Sequence, residues 1–356
     1  MKKKLLVDLS SLKRIYSGLG QIALTYGYYF RDHYDSRTSS YELTLLVPRA
    51  YVGAFGDEVK YLSSSGSISS RARLLFARYD GWHSIHQLSH FKPFHKRTKV
   101  ILTIHDLNYL YEKEKRSRER YHRRIQRKIN RATAIVCISN FTKREVESRL
   151  QLGQKEVKVV YNQVPTLDPR VALLPGFEVK SPFFFSLGVI KKKKNFHTLL
   201  DLMKLMPERH LYIVGDGAHD TENGYAQAML RRIENERIAN VSLLDPMSHA
   251  EKIWMYQHCE AFLFPSLLEG FGIPVIEALQ FGKPVFVSKE TSLKEIGNRY
   301  AFFWDDFDPQ SMKKRVETGL AEFHGNGRLA EEAKEYASWF STDRHFEEYE
   351  ELYAII

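Results

Sequence analysis

Residues 265–278 read Pro265-Ser-Leu-Leu-Glu269-Gly270-Phe-Gly272-Ile-Pro274-Val-Ile-Glu277-Ala. Immediately before them stands AFLF (261–264), a short run that is apolar at every position. Such a run suits a strand covered on both faces, as in a parallel sheet between helices. Pro274 suits the first turn of a helix, where its missing N–H costs nothing. The stretch is thus strand, glycine-containing loop, helix. Ligands of open α/β sheets bind outside the carboxyl ends of the strands, which is where this loop lies. Gly270 and Gly272 let backbone approach a ligand closely. The helix start supplies unpaired N–H groups and the positive end of the helix dipole. Glu269 lies in the loop and Glu277 about one turn into the helix, so they reach two parts of one long ligand.

The same alternation extends in both directions. Strand candidates in the first half are 5–10, 41–47, 82–88, 99–106, 133–139 and 157–162, with helical stretches near 20–33, 67–78, 113–131 and 141–151. In the second half the strand candidates are 183–189, 210–215, 241–244, 261–266 and 284–288. Helical stretches near 195–206, 224–237, 249–259, 274–281 and 310–322 separate them. Repeated strand–helix alternation predicts α/β architecture with doubly wound parallel sheets. It occurs twice. The segment PTLDPRVALLPGFEVKSP (165–182) carries four prolines and reads as a linker. The expected organisation is a domain over 1–170, a second over 171–340, and a terminal helix over 341–356 that packs back on the first.

Composition narrows the function. At 356 residues, 43% hydrophobic and 13% aromatic, the chain has material for two buried cores. Cys137 and Cys259 each lie in an apolar run and form neither a disulfide framework nor a zinc ligand set, which favours a reducing compartment. The start MKKKLLVDLSSL is broken by Asp8 and reads as a first strand, not a signal peptide. The expected location is the cytoplasm, with peripheral contact at the inner face of the cell membrane as an added expectation. The formal net charge is +10, and the stretch 113–131 holds ten Lys/Arg against two Glu. A solvated helix face and an anionic membrane surface are both open for that stretch.

Glu269 and Glu277 match the E-x7-E signature of retaining glycosyltransferases of family 4 (glycosyl transferases group 1). The resemblance runs on through FGKPVFVSKETSLKEIGNRYAFFWDDFDP (281–309) and leans towards a mannosyltransferase-like branch. It implies a GT-B fold, two Rossmann-like domains facing a cleft, with the nucleotide-sugar donor held by the second and the acceptor presented by the first. It implies that Glu277 binds the ribose hydroxyls of the donor. Glu269 would contact the transferred sugar and act at the reacting centre, with backbone of Gly270, Phe271, Gly272 and Ile273 facing the donor. The lysine run in GVIKKKKN (188–195) resembles the family's basic diphosphate clamp, with Lys193 and Lys194 in the two basic positions. Lys193 stands where arginine is usual, so a point charge replaces a planar fork. In the first half, Gly18 and Gly20 open a helix after the first strand, and His105 ends the strand KVILTI. The resemblance places both near the donor, with His105 a second candidate for the chemistry. Asn162-Gln163 departs from the family's Asn-Gly.

The resemblance also implies that the nucleotide-sugar is a substrate and that no metal or other cofactor is needed. GDP-mannose-type and UDP-sugar donors both remain, and the expected acceptor is a glycan or lipid-linked intermediate of bacterial surface polysaccharide. Gly215-Asp-Gly217 lacks the rest of a dinucleotide fingerprint, and Asp305-Asp306 falls where the family has a strand-end turn. Two other classes are open to such a chain. A nucleotide-sugar epimerase of GT-B fold would alter free donor without acceptor. A basic nucleic-acid-binding protein would interleave aromatics with its basic run, which 113–131 does not, so nucleic acid is not an expected partner.

Overall fold

In the computed structural model, residues 2–15, 17–65 and 77–354 are described. The chain divides into two compact units, residues 1–165 with 342–356, and residues 166–341. In the first unit lie β1 (Lys3–Asp8), β2 (Tyr41–Val47), β3 (Lys60–Ser63), β4 (Gly81–Ser84), β5 (Lys99–Ile104), β6 (Ala134–Cys137) and β7 (Val157–Val159). They form one sheet in the order β3-β2-β1-β4-β5-β6-β7, every neighbour parallel. The second unit holds β8 (Phe183–Leu187), β9 (His210–Val214), β10 (Val241–Leu244), β11 (Ala261–Phe264), β12 (Val285–Ser288) and β13 (Phe302–Trp304). Their order is β10-β9-β8-β11-β12-β13, again parallel throughout.

Both sheets are doubly wound, and each reverses direction once, between β1 and β4 and between β8 and β11. At such switch points the loops leaving adjacent strands diverge and open a crevice at the carboxyl ends. The apolar strand runs are buried as expected: all four residues of β11 and of β12 are inaccessible. Around β8, β9 and β11 the core gathers Phe184, Leu199, Leu211 and Leu263 under the flanking helices.

Elements that the sequence reading did not single out are short. They include β3, β13 and the helices Tyr109–Glu112, Leu293–Gly297 and Leu329–Ser338. The helix expected near 67–78 falls almost wholly outside the described residues.

The terminal helix, Thr342–Ala354, belongs to the first unit. Its aromatic and polar residues make the reason clear. The Tyr26 hydroxyl meets His345 Nε2 at 2.9 Å, and His345 Nδ1 donates to the Tyr161 carbonyl at 2.7 Å. His83 bridges Tyr353 and Thr103, each at 2.8 Å, and Thr103 meets Tyr349 at 2.7 Å. Burial lowers His345 to about 3. The rings therefore stay neutral and join the layer as hydrogen-bonding hydrophobes.

Candidate active site

Two loops flank the switch point of the second sheet. After β8 the chain runs through Gly188 into a single 3-10 turn, Lys192–Lys194, closed by Asn195 in the left-handed region at φ 59°. After β11 it runs through Ser266–Gly270 to the helix Ile273–Gln280. The carbonyl of Lys193 accepts from the N–H of Leu267 at 2.8 Å and from the Ser266 hydroxyl at 3.3 Å, tying the two loops together. Side chains complete the joint. Lys194 Nζ lies 2.5 Å from Glu269 Oε1, with the two side chains 13% and 15% exposed, and 4.8 Å from the centroid of the Phe264 ring. The pair is mostly sheltered yet keeps a reachable edge, so an incoming anion can share the ammonium.

The first of these loops is set by a close approach. A Cβ on Gly215 would overlap the carbonyl of Gly188, so only glycine lets the β9 exit pass under the β8 exit. The N–H of Gly188 donates to Val214 and that of Ile190 to Asp216, both at 2.9 Å. This is the work of the Gly215-Asp-Gly217 turn, and it is structural. Gly215→Ala is expected to lose about 1–3 kcal/mol of stability through overpacking. A denaturation midpoint unchanged from wild type would show that the loops can separate without cost.

Gly272 caps the helix Ile273–Gln280 at φ 116°, a conformation that side chains resist, and Pro274 follows in its first turn. The Thr291 hydroxyl accepts the Glu269 N–H at 3.1 Å, and the Ser292 hydroxyl bonds the carbonyls of Glu269 and Phe271 at 3.0 and 2.8 Å. Phe271 itself is buried against Phe340, ring centroids 5.6 Å apart. Its contribution at the surface is backbone only. Gly270 and Ile273 remain partly accessible.

Glu277, on the same helix, is 7% exposed. Its Oε1 pairs with Lys252 Nζ at 2.6 Å and its Oε2 accepts the Tyr256 hydroxyl at 2.9 Å. Burial, and then the Glu277 charge, push the Tyr256 phenol well above its usual range. Lys252 and Tyr256 sit one turn apart on the helix His249–His258, fixed at its start by a Ser248–Glu251 capping box. Each carboxylate oxygen has two acceptor sites, so the paired carboxylate keeps acceptor capacity for ligand hydroxyls. Neither Lys252 nor Tyr256 was singled out from sequence, nor were Thr291 and Ser292. The one available signal was a polar pair at helical spacing, and it does not name its partner.

Lys193, Lys194, Glu269, Gly270, Phe271, Gly272, Ile273 and Glu277 are therefore gathered in the second unit, on elements that leave β8 and β11. His105, Gly18 and Gly20 lie in the first unit. His105 follows β5 and is 6% exposed. Its Nε2–H donates to the Ile85 carbonyl at 2.7 Å, and Gln87 accepts its N–H at 3.1 Å. Burial lowers the ring to about 4, so at neutral pH it is uncharged, with Nδ1 as its acceptor. Gly20 receives the Ser17 cap at 3.1 Å, and a Cβ there would overlap the backbone of Arg14. Gly18, at the same helix start, has open space where a Cβ would stand. Gln163 is 2% exposed, with its amide unpartnered among the described residues, so the departure from Asn-Gly leaves a buried polar group.

The family description "Glycosyl transferases group 1" matches residues 175–337, and "Glycosyltransferase Family 4" matches 31–166. Taken together they cover most of both units, and the chain belongs to this group of glycosyltransferases. Among relatives, the serotype-specific mannosyltransferase WbdA of Escherichia coli is 26% identical over 243 residues, 63% of this chain but 29% of that protein. The O-antigen chain mannosyltransferase RfbU of Salmonella typhimurium is 24% identical over 217 residues, 60% of this chain and 59% of its own. The chain thus spans under two thirds of these relatives. Two solved structures share the fold over the full length. Sucrose-phosphate synthase from Thermosynechococcus elongatus superposes with a TM-score of 0.75 at 12% identity, covering 100% of both chains. Anabaena Alr3699/HepE, solved with UDP and glucose, gives 0.73 at 16% identity over 99% of this chain and 100% of that one.

Proposed function

We propose that this glycosyltransferase moves mannose from a GDP-mannose-type donor, with retention, to an intermediate of bacterial surface polysaccharide, without a metal ion. The observation that carries the reading is the paired Lys194–Glu269 joint at the switch point, with Glu277 buried and oriented beside the same helix start. It offers a cation for a diphosphate, a carboxylate at the sugar and a carboxylate for a ribose. In the proposed step the bond from the sugar's anomeric carbon to the diphosphate breaks, and its electron pair leaves with the nucleoside diphosphate. Lys193, Lys194 and the backbone N–H groups of 270–273 stabilise that charge. The acceptor hydroxyl attacks from the same face, and its proton passes to the departing phosphate oxygen. The family resemblance assigns His105, neutral and with an acceptor nitrogen, to the transferred sugar.

The relatives' names supply the mannose and the polysaccharide, while the UDP of the Anabaena structure marks the competing donor class. No helix among the described residues is long and apolar enough to cross a membrane. We place the enzyme in the cytoplasm, where such donors are found, at the inner face of the membrane. The test is a thermal-shift panel of GDP, UDP, ADP and TDP with magnesium or with EDTA. Stabilisation by GDP alone, equal in both buffers, is expected. A shift only with UDP replaces the donor, a shift only with magnesium removes metal independence, and no shift with any diphosphate overturns the reading.

A further inference from the structure

The switch point of the first sheet carries a second, separate concentration of charge. Asp8 ends β1, and the segment His86–Lys92 follows the end of β4 beside it. Asp8 is 2% exposed and already engaged. Its Oδ1 accepts the Ser10 N–H at 3.0 Å, and its Oδ2 accepts the Ser89 hydroxyl. The helix Lys115–Arg131 passes alongside. Arg124 donates to the carbonyls of Leu88 and Ser89 at 2.6 and 2.9 Å, which turns that loop towards the helix.

One turn further on, Lys128 Nζ is buried and has no hydrogen-bond partner among the described residues. Burial, and the repulsion of Arg124 and Lys92 against the pull of Asp8, lower it to about 8. Lys13 joins Arg124 and Lys128 in acting on His90, and Lys128 with Arg124 acts on His86. Arg124 and Lys128 thus sit beside a carboxylate whose oxygens are already engaged, with the exposed Lys92 acting on Lys128 and the exposed Lys13 on His90 at the rim. A buried ammonium without a partner is costly and is retained where an anion completes it. The excess of positive charge is that of a multiply charged anion. Its location, at the carboxyl ends of β1 and β4, is where such sheets take ligands.

We propose that Lys128, Arg124, Lys92 and Lys13 form an anion site for a phosphate or diphosphate group, the group by which a lipid-linked acceptor is held. The assignment to the acceptor rests on the transferase reading above; the anion site does not. This gives the basic helix two faces. One is built around a fixed anion, and the other, with Arg116, Arg120, Arg123 and Arg127, is solvated.

The experiment titrates inorganic pyrophosphate by calorimetry into the full chain carrying Lys193→Ala and Lys194→Ala, which removes both lysines of the donor diphosphate clamp. Lys128→Met in that background is expected to weaken pyrophosphate at least about tenfold, as loss of one charge-assisted contact does. Lys92→Met, at an exposed position, is expected to weaken it several-fold and guards against a folding artefact. Farnesyl diphosphate is expected to show the same losses, and farnesol no binding that depends on Lys128. Pyrophosphate binding untouched by both substitutions overturns the site. So does Lys128-dependent binding to phosphatidylglycerol vesicles with none to either diphosphate, which would make this a membrane surface. GDP titrated into the unsubstituted chain reports separately on the donor. If GDP fails to bind while pyrophosphate still depends on Lys128, the donor reading falls and the anion site stands.

Discussion

Glu277→Gln is expected to weaken the donor and its nucleoside alike, by about two decades, while the chain stays folded. Glutamine keeps the shape of the side chain and one acceptor oxygen but loses the charge. A hydrogen bond to a charged group contributes about 1.5–3 kcal/mol, against about 1 kcal/mol for a neutral pair, and two ribose hydroxyls lose that difference together. The stability cost falls on Lys252, whose ammonium loses its 2.6 Å partner. That side chain is 20% exposed and can turn to water, so we expect a loss of about 1–2 kcal/mol and no change of fold. The check is paired: calorimetric titration of guanosine and GDP, with circular dichroism on the same sample. Guanosine binding left at the wild-type level would remove Glu277 from the ribose.

Lys194→Ala is expected to show the opposite pattern. Guanosine should bind as before, GDP should weaken about 10- to 100-fold, and kcat should fall by about 10²–10³, because the leaving diphosphate gains its full charge only in the transition state. The structure adds a condition. Lys194 is engaged with Glu269 at 2.5 Å, so the substitution also leaves a sheltered carboxylate beside incoming phosphates. Part of the loss is therefore repulsion from Glu269, and Glu269→Gln in the Lys194→Ala background should recover some GDP affinity without recovering kcat. A double-mutant cycle separates the two contributions. Equal weakening of guanosine and GDP by Lys194→Ala would sink the clamp assignment.

The architecture and much of the site could be read from residue order because both depend on local pattern. Runs such as AFLF and VFVS are apolar at every position, and only a strand covered on both faces uses such a run well. Glycines and a proline between strand and helix marked the loop, and the spacing of Glu269 and Glu277 carried the family resemblance. Elements of three to ten residues at the edges, such as β3, β13 and Leu329–Ser338, were missed because a short segment shows too little period to declare itself.

Tertiary structure decided what each charge faces. Residues 25 positions apart in sequence became the Lys252–Glu277 pair, and 75 positions separate Lys194 from Glu269. The basic stretch 113–131 looked uniform as a sequence, but folding buried Lys128 and left Arg123 and Arg127 in water. Gly215 belongs to a turn that lacks a dinucleotide fingerprint in the sequence, and its packing role rests on the Gly188 carbonyl that the fold brings against it. The physical reason is the same in each case. Hydrophobic periodicity is a property of the chain's own geometry and survives in one dimension. Ion pairing, desolvation and steric approach depend on distances between elements, and those exist only once the sheets have assembled.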